Sequence, residues 1–315
     1  MAAIGGYFEL ELPKGEEYHK SALRLNLGRN AFEYILRAKQ YKKVYLPYYT
    51  CDVMLEPIEK LGLKVEFYHI DENLLPLFDY SKVKITEVFV YTNYFGICDN
   101  NVDKVAQQCK NLIVDNSQAF YSKPLTGIDT FYSLRKFFGV PDGAYLYTDT
   151  LLDDGFETDI SYQRFEHLLG RIDKGAEEFY AAFVSNDDSL MNQPIKKMSK
   201  LTQRLLSSID YNSVAESRKQ NFEYLNSKLS STNLLSLNLS SNSVPLVYPY
   251  FFDSGAELKK KLIENKIFVA TYWQNVLEWT SENDFEYKLA KCLLPLPVDQ
   301  RYESNNLKEI ELLVL

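Results

Sequence analysis

Short apolar runs alternate with helical segments between residues 43 and 147, and this alternation constrains the possible folds more than any other feature. The runs predict strands over residues 43–47, 64–70, 87–91, 112–114, 130–133 and 144–147, with helices over 52–61 and 102–109. Strands joined through helices predict a mostly parallel sheet that is covered on both faces. The chain is therefore predicted to be an α/β protein.

Polar side chains follow two of these strands. Asp115 comes directly after 112–114, Ser133 ends 130–133, and Lys136 follows three residues later. Ligands of parallel α/β sheets bind at the carboxyl ends of the strands, so we expect these side chains at one edge. Taken singly, they would be a turn cap, a strand hydroxyl and a solvated charge. Together they supply what pyridoxal phosphate requires: an acid for the ring nitrogen, a hydrogen-bond donor for the phosphate and a Schiff-base lysine.

The same region resembles a known family. Residues 114–119, 127–136 and 141–144 are similar to motifs of the DegT/DnrJ-type sugar aminotransferases, within the fold type I pyridoxal phosphate enzymes. The resemblance implies an aspartate aminotransferase-like fold with a large cofactor-binding domain over 1–195 and a small α/β domain over 196–315. It also implies the cofactor itself, pyridoxal 5'-phosphate.

The resemblance assigns roles to four of these residues. It implies that Asp115 pairs with the pyridine nitrogen, and that Gln118 lies against the ring or its phenolic oxygen. Lys136 would be the catalytic Schiff-base lysine, and Ser133 falls at a position commonly used for the phosphate. Because this chain has Lys where some members have His and dehydrate, transamination is favoured.

A second phosphate contact is predicted near the N-terminus. Gly28, Arg29 and Asn30 precede an apolar helical segment over 31–39, and free N–H groups at a helix start bind anions. A plain glycine turn at the start of a helix is the alternative. The resemblance implies that these three residues hold the cofactor phosphate.

One position departs from the family pattern. Residues 47–51 resemble a Pro-x-x-Thr-aromatic motif, but Cys51 stands where many relatives have an aromatic residue against the cofactor ring. Stacking is then either weaker, with Cys51 as the contact, or supplied by Tyr49 or Tyr94.

The second half of the chain predicts a change of architecture. Residues 159–183 predict one long helix, and 245–250 and 267–270 predict strands of the small domain. The segment around Met198 and Ser199 resembles the connection between the two domains. In the family, residues near this position reach into the active site of the partner subunit, which implies a homodimer with shared sites.

Composition excludes several classes of function. The net charge of −8 disfavours nucleic acid as a partner, because phosphate binding requires a basic surface. No apolar run reaches membrane-spanning length, and the N-terminus lacks a signal-like pattern, so a cytoplasmic protein is expected. Four cysteines without a Cys-x-x-Cys pair and only three histidines predict no metal site.

The sequence therefore predicts an aminotransferase that moves an amino group from glutamate or glutamine to a keto sugar, nucleotide-linked, in polysaccharide or related biosynthesis. Residues 274–278 lack the histidine that many sugar-nucleotide enzymes have there, which weakens the nucleotide assignment. Another pyridoxal phosphate reaction, such as elimination or transamination of a cyclitol or amino acid, is the first alternative. A non-catalytic binding protein of the same fold is the second. Lys136 favours an enzyme, because a buried amine is costly to keep without a use.

Overall fold

The computed structural model describes residues 4–237 and 239–315. The strands are β1 Leu23–Leu25, β2 Lys43–Pro47, β3 Lys64–Ile70, β4 Pro76–Leu77, β5 Glu87–Thr92, β6 Leu112–Asp115, β7 Asp129–Ser133, β8 Ala144–Tyr147, β9 Val247–Phe251 and β10 Leu293–Pro297. The helices are α1 Gly28–Lys39, α2 Leu55–Lys60, α3 Asp99–Gln108, α4 Glu166–Lys174, α5 Tyr180–Ser189, α6 Lys200–Leu206, α7 Tyr211–Leu229, α8 Gly255–Glu264, α9 Val276–Trp279, α10 Phe285–Cys292 and α11 Ser304–Val314. The predicted strands of the first half are all present, with ends shifted by one residue at most.

Eight strands form the central sheet in the order β1-β8-β7-β6-β5-β2-β3-β4. Neighbours from β3 through β2, β5 and β6 to β7 are parallel, and the antiparallel pairs lie at the two sides of the sheet. The chain adds β3 on one side of β2 and β5 to β7 on the other. The sheet thus reverses its winding between β2 and β5, and this point is where α/β proteins bind ligands.

Both faces of the sheet are buried. Along β2 and β5, alternate residues enter two different cores: Val44 and Val88 pack beneath α1, whereas Tyr45 and Phe89 join a core rich in tyrosine on the opposite face. Burial on both sides explains why these strands read as almost continuous apolar runs.

The C-terminal part has its own two-stranded antiparallel sheet. Strands β9 and β10 pair with Pro249 opposite Pro295, and Tyr248, Tyr250, Leu294 and Leu296 pack with α7, α8 and α11 in a separate core. Two proline-containing strands can pair because each has an edge without a neighbour, where a missing N–H is tolerated. We propose that the small domain begins near residue 196, as predicted.

Two predicted elements are wrong. Residues 159–183 do not form one helix, because the chain reverses between α4 and α5 at Gly175, which has φ of +94°. The ring of Phe179 packs against Gly170, where a Cβ would lie 2.3 Å from it, so the two helices make a tight hairpin. Residues 267–270 are irregular, since the chain after α8 enters the left-handed region at Lys266 and, in the described chain, no strand lies alongside.

Within residues 4–237 and 239–315, the helices are all too short or too polar to cross a bilayer. The same residues contain no group of three His, Cys, Asp or Glu side chains placed to hold a metal ion.

Candidate active site

The site lies where the winding of the sheet reverses. The loops that follow β2 and β5 meet there, and the hydroxyl of Tyr94 donates to the carbonyl of Tyr49 at 3.0 Å. Strands β6 and β7 are parallel neighbours, so their carboxyl ends bring Asp115 and the β7 end at Ser133 to the same edge. The predicted convergence at one edge of the sheet is therefore present.

Asp115 is a buried carboxylate, 6% exposed, at the end of β6. Its Oδ1 accepts from the backbone N–H of Ser117 at 2.8 Å, which fixes the side chain and leaves Oδ2 for a second donor. Burial raises the pKa of Asp115, while the Ser117 hydrogen bonds and the positive charge of Lys136 oppose that rise. A cationic donor placed beside Oδ2 would stabilise the charged form.

In the part of the chain that the structure describes, the side-chain amide of Gln118 has a hydrogen-bond partner for only one of its two polar atoms. Its Oε1 accepts from the backbone N–H of Phe95 at 2.8 Å, which ties the loop after β6 to the loop after β5. The side-chain Nε2 is buried and, among the described residues, has no hydrogen-bond partner. An unpartnered buried amide is unfavourable by about 1–3 kcal/mol, so this donor fits a ligand oxygen.

The N-terminus of α1 forms a small cradle. A Cβ on Gly28 would lie 3.4 Å from Ser133 Cβ and 3.8 Å from the hydroxyl oxygens of Ser117 and Ser133. Within the described chain no side chain caps this helix, and its first turn contains no acidic residue. The free N–H groups of a helix start and two hydroxyls within reach make an anion site.

The side chains of Arg29 and Asn30 face elsewhere. Arg29 donates to Glu56 at 2.5 Å, and Asn30 Nδ2 donates to the carbonyls of Gln193 and Pro194 at 3.1 and 2.6 Å. Both side chains therefore fasten α1 to the rest of the fold. Their backbone N–H groups, in the first turn of α1, are the parts left to meet an anion.

Lys136 ends a single 3₁₀ turn, Leu134–Lys136, directly after β7. The backbone N–H of Leu134 donates to the carbonyl of Gly143, which holds this turn against the start of β8. Lys136 Nζ lies 6.0 Å from the ring centroid of Tyr272. The side chain is exposed in the single chain, so the expectation of a costly buried amine is wrong. The amine therefore gives no argument against the alternative of a non-catalytic binding protein.

Cys51 is half-buried in the loop after β2. Burial raises the pKa of its thiol, and the positive charge of Lys136 partly offsets this rise. Tyr49 and Tyr94 are fully buried and pack against each other at 5.5 Å. Neither ring is open to a ligand in this arrangement, whereas Cys51 borders the site.

A segment from the C-terminal part covers this edge. Tyr272 stacks on Phe95 with ring centroids 6.2 Å apart, and Trp273 packs edge-on against Tyr49 at 5.1 Å. Asn275 Nδ2 donates to the carbonyl of Thr50 at 2.9 Å, which anchors the segment to the loop after β2. The segment therefore lies over the carboxyl edge of the sheet, with Tyr272 beside Lys136.

The Met198 region is expected to reach into a partner subunit, but the side chains of Met198 and Ser199 are not available for this. Met198 is completely buried and Ser199 is 2% exposed. Ser199 caps α6 by accepting from the N–H of Thr202 at 3.1 Å. The flanking residues Lys197 and Lys200 are exposed, so they are the ones that face outward.

Sequence reasoning missed one contributor to the site, Ser117, and it could not place another, Tyr272, beside Lys136. Ser117 lies between two predicted site residues, and its hydroxyl faces Gly28 because the turn after Asp115 points it there. Tyr272 lies more than 130 residues after Lys136 and reaches it only through the tertiary fold. The position of Ser117 inside the Asp115–Gln118 motif was the one available signal.

No family model and no curated protein matches the chain by sequence. Solved structures match it over almost its whole length. The sugar aminotransferase CalS13 from Micromonospora echinospora is 14% identical, with 93% of this chain and 86% of that chain covered and a TM-score of 0.62. A DegT DnrJ EryC1 StrS aminotransferase from Brucella abortus is 13% identical, with 93% and 84% covered and a TM-score of 0.60.

A third similar structure is that of Spr1654 from Streptococcus pneumoniae, named as a sugar aminotransferase and solved in a PLP form. It is 14% identical, with 92% of this chain and 85% of that chain covered and a TM-score of 0.63. Its PMP form gives a TM-score of 0.66 at 15% identity, with 93% and 86% covered. At such identities the likeness shows the fold, and the predicted fold type I, aspartate aminotransferase-like architecture is confirmed.

Proposed function

We propose that this chain is a pyridoxal phosphate-dependent aminotransferase that transfers an amino group from glutamate or glutamine to a keto sugar. One observation carries the proposal: Lys136, the Asp115 carboxylate and the unpartnered amide of Gln118 share one sheet edge beside the anion cradle at Gly28. The similar structures support it, because they are named sugar aminotransferases and one was solved in PLP and PMP forms.

The residues present fit this cofactor. Its phosphate matches the cradle of Gly28, Ser117 and Ser133, where a side chain in place of glycine would take up the space. Its pyridinium N–H matches the buried carboxylate of Asp115, and its phenolic oxygen matches Gln118 Nε2. Cys51 would contact the ring where an aromatic residue is common in the resembling family.

When bound, pyridoxal phosphate supplies an electron sink for the carbanion of an amino acid. Asp115 keeps the ring nitrogen protonated, which maintains that sink. Lys136 would hold the cofactor covalently through Nζ, and its free amine would serve as the general base and acid at the α-carbon of the amino donor. Its flexible stem and exposed position leave Nζ free to change orientation.

We infer that the acceptor is a nucleotide-linked keto sugar held under the Tyr272–Trp273 segment. The similar structures named as sugar aminotransferases favour a sugar. Aromatic rings beside a polar edge suit the apolar face of a sugar ring.

We also propose that the protein is a homodimer with its sites near the subunit interface. The α4–α5 hairpin exposes five apolar side chains, namely Leu169, Ile172, Tyr180, Phe183 and Val184. Arg135, next to Lys136, forms an ion pair with Asp187 of the same hairpin. A second copy seated on this face would reduce the exposure of Lys136.

The test is the visible absorption spectrum with added pyridoxal phosphate, before and after L-glutamate. Wild type is expected to show the long-wavelength band of a covalent lysine link, and glutamate should bleach it. Lys136→Ala should form no such band, while Lys123→Ala, which removes an exposed lysine outside the cradle, should keep it. Asp115→Asn should weaken cofactor binding at least ~10-fold, because a charged hydrogen bond is lost.

The outcomes separate the candidates. A band that glutamate leaves unchanged would favour a different donor or another pyridoxal phosphate reaction. Absence of any band in wild type would reject the cofactor and leave a binding protein of this fold.

A further inference from the structure

The carbonyl of Phe137, the residue directly after Lys136, is held by two side chains from the C-terminal part. Gln300 Nε2 donates to it at 3.1 Å, and Arg218 Nη2 donates to it at 3.3 Å. The guanidinium also lies 4.5 Å from the centroid of the Phe137 ring. Arg218 Nε donates to Gln300 Oε1 at 3.1 Å, which closes the three groups into one network.

Arg218 is an unusual residue to bury. It is 2% exposed, and its hydrogen-bond partners are neutral oxygens: Gln300 Oε1 and the carbonyls of Phe137, Pro245 and Leu246. Burial lowers the pKa of its guanidinium to about 10. The charge of the Asp299 carboxylate opposes this lowering, and the four hydrogen bonds hold the guanidinium in one orientation.

A second branch of the network leads to Gln118. Arg218 Nη1 donates to the Leu246 carbonyl at 3.0 Å, and the Leu246 N–H donates to the Phe95 carbonyl at 2.8 Å. Phe95 in turn donates its N–H to Gln118 Oε1 at 2.8 Å. Arg218 is thus linked to the residue beside Lys136 and to the peptide that orients Gln118.

We propose that Arg218 and Gln300 are positioning residues that set the backbone at Lys136 and so aim its amine at the cofactor aldehyde. The proposal rests on the proposed function. Lys136 has a flexible four-carbon stem and an exposed side chain, so its orientation depends on where its backbone is fixed. Misplacement of a reacting group by about 1 Å can cost up to ~100-fold in rate.

The test separates the amine from the rest of the site. Gln300→Leu keeps side-chain size and removes the donor to Phe137. The rate of covalent-link formation at saturating pyridoxal phosphate is measured by absorption, and the affinity for pyridoxamine phosphate, which forms no link to lysine, is measured by titration. We expect the rate of covalent-link formation to fall about 10-fold. The affinity for pyridoxamine phosphate should stay within about twofold of the wild-type value.

Asn221→Ala is the matched control. Asn221 Nδ2 donates from the same helix, α7, to the carbonyls of Val298, Asp299 and Tyr302, but it does not contact Phe137. It should lower stability without slowing link formation. In the cofactor-free protein, hydrogen exchange over residues 134–138 should rise in Gln300→Leu and not in the control.

A Gln300→Leu variant that links pyridoxal phosphate at the wild-type rate would overturn the positioning role. Equal losses of link formation and pyridoxamine phosphate affinity would overturn it too, since a general disturbance of the site would explain both. Absence of the band in wild type would instead refute the proposed function. Arg218→Lys, which shortens the reach of the cation, should reproduce the slow link where the variant folds.

Discussion

Asp115 and Gln118 each use one atom for the fold and leave another for a ligand. Asp115 Oδ1 and Gln118 Oε1 accept backbone N–H groups, and these bonds fix the two side chains while leaving Asp115 Oδ2 and Gln118 Nε2 for a ligand. A side chain fixed at one atom loses little further freedom when the other atom binds. This arrangement favours tight binding, because less ordering remains to be done when the ligand arrives.

His19 makes the fold sensitive to acid. The ring is 4% exposed among tyrosine and phenylalanine rings, Nε2 donates to the Phe120 carbonyl at 2.7 Å, and Nδ1 accepts from the Tyr147 hydroxyl at 3.0 Å. Burial lowers its pKa from 6.5 to about 4. The unfolded chain therefore binds a proton more readily than the folded one between these values.

We expect protonation of His19 to lower the free energy of unfolding by about 3 kcal/mol as the pH falls from about 6.5 to 4. Above about pH 6.5 we expect no such effect. Urea denaturation of wild type and His19→Gln at several pH values measures this. Tyr147→Phe is the control, because it removes the hydroxyl but keeps the burial that depresses the pKa. Parallel stability curves for wild type and His19→Gln would show that the buried ring is not responsible.

At the scale of elements, the site depends on three chain segments that approach one another at Gly96. This residue has φ of +72°, and a Cβ there would lie 2.7 Å from the Val244 carbonyl oxygen and 2.8 Å from that of Gln118. Both contacts are with backbone, which cannot rotate away. Glycine at position 96 therefore allows the loops after β5 and β6 to meet the segment before β9.

Gly96→Ala is expected to destabilise the protein by more than ~3 kcal/mol, through a clash added to backbone strain. Gly127→Ala is the matched control. Gly127 has φ of +78° and nothing within 4 Å of a built Cβ, so strain alone should cost it about 1–2 kcal/mol. Chemical denaturation of the two cofactor-free variants measures the difference, and similar losses would mean that close approach at Gly96 is unimportant.

At the scale of the whole molecule, the α4–α5 hairpin carries five exposed apolar side chains and contacts the Lys136 turn through the Arg135–Asp187 ion pair. Monomeric proteins seldom expose large contiguous apolar patches, so a partner surface is expected there. The proposed homodimer would satisfy this need and cover the reactive lysine.

Ile172→Glu is expected to weaken the dimer at least ~10-fold, because it places a charge within an apolar contact. Ile172 is 82% exposed, and Ile85, which is 89% exposed and outside the hairpin, provides the control Ile85→Glu. Sedimentation over a concentration series measures both. Equal effects of the two substitutions, or a wild-type monomer at all concentrations, would contradict the placement of the interface.

The sequence by itself determined six of the eight strands of the large sheet, all except β1 and β4, as well as the fold class and the candidate residues Asp115, Gln118, Ser133 and Lys136. These depend on local periodicity and on motifs within 22 residues, which a linear sequence displays directly. The sequence-based prediction for residues 159–183 is wrong, because the spacing of apolar residues continues across Gly175. The chain reversal there depends on Phe179 packing over Gly170.

Only the tertiary structure decided which groups face the site. The side chains of Arg29 and Asn30 bind Glu56 and the carbonyls of residues 193 and 194. Ser117 faces Gly28, and Arg218 donates to the carbonyl of Phe137, which lies 81 residues earlier in the chain. The physical reason is that the direction of a side chain depends on which distant backbone atoms offer hydrogen bonds. Those atoms become neighbours only when the sheet and the C-terminal part have packed together.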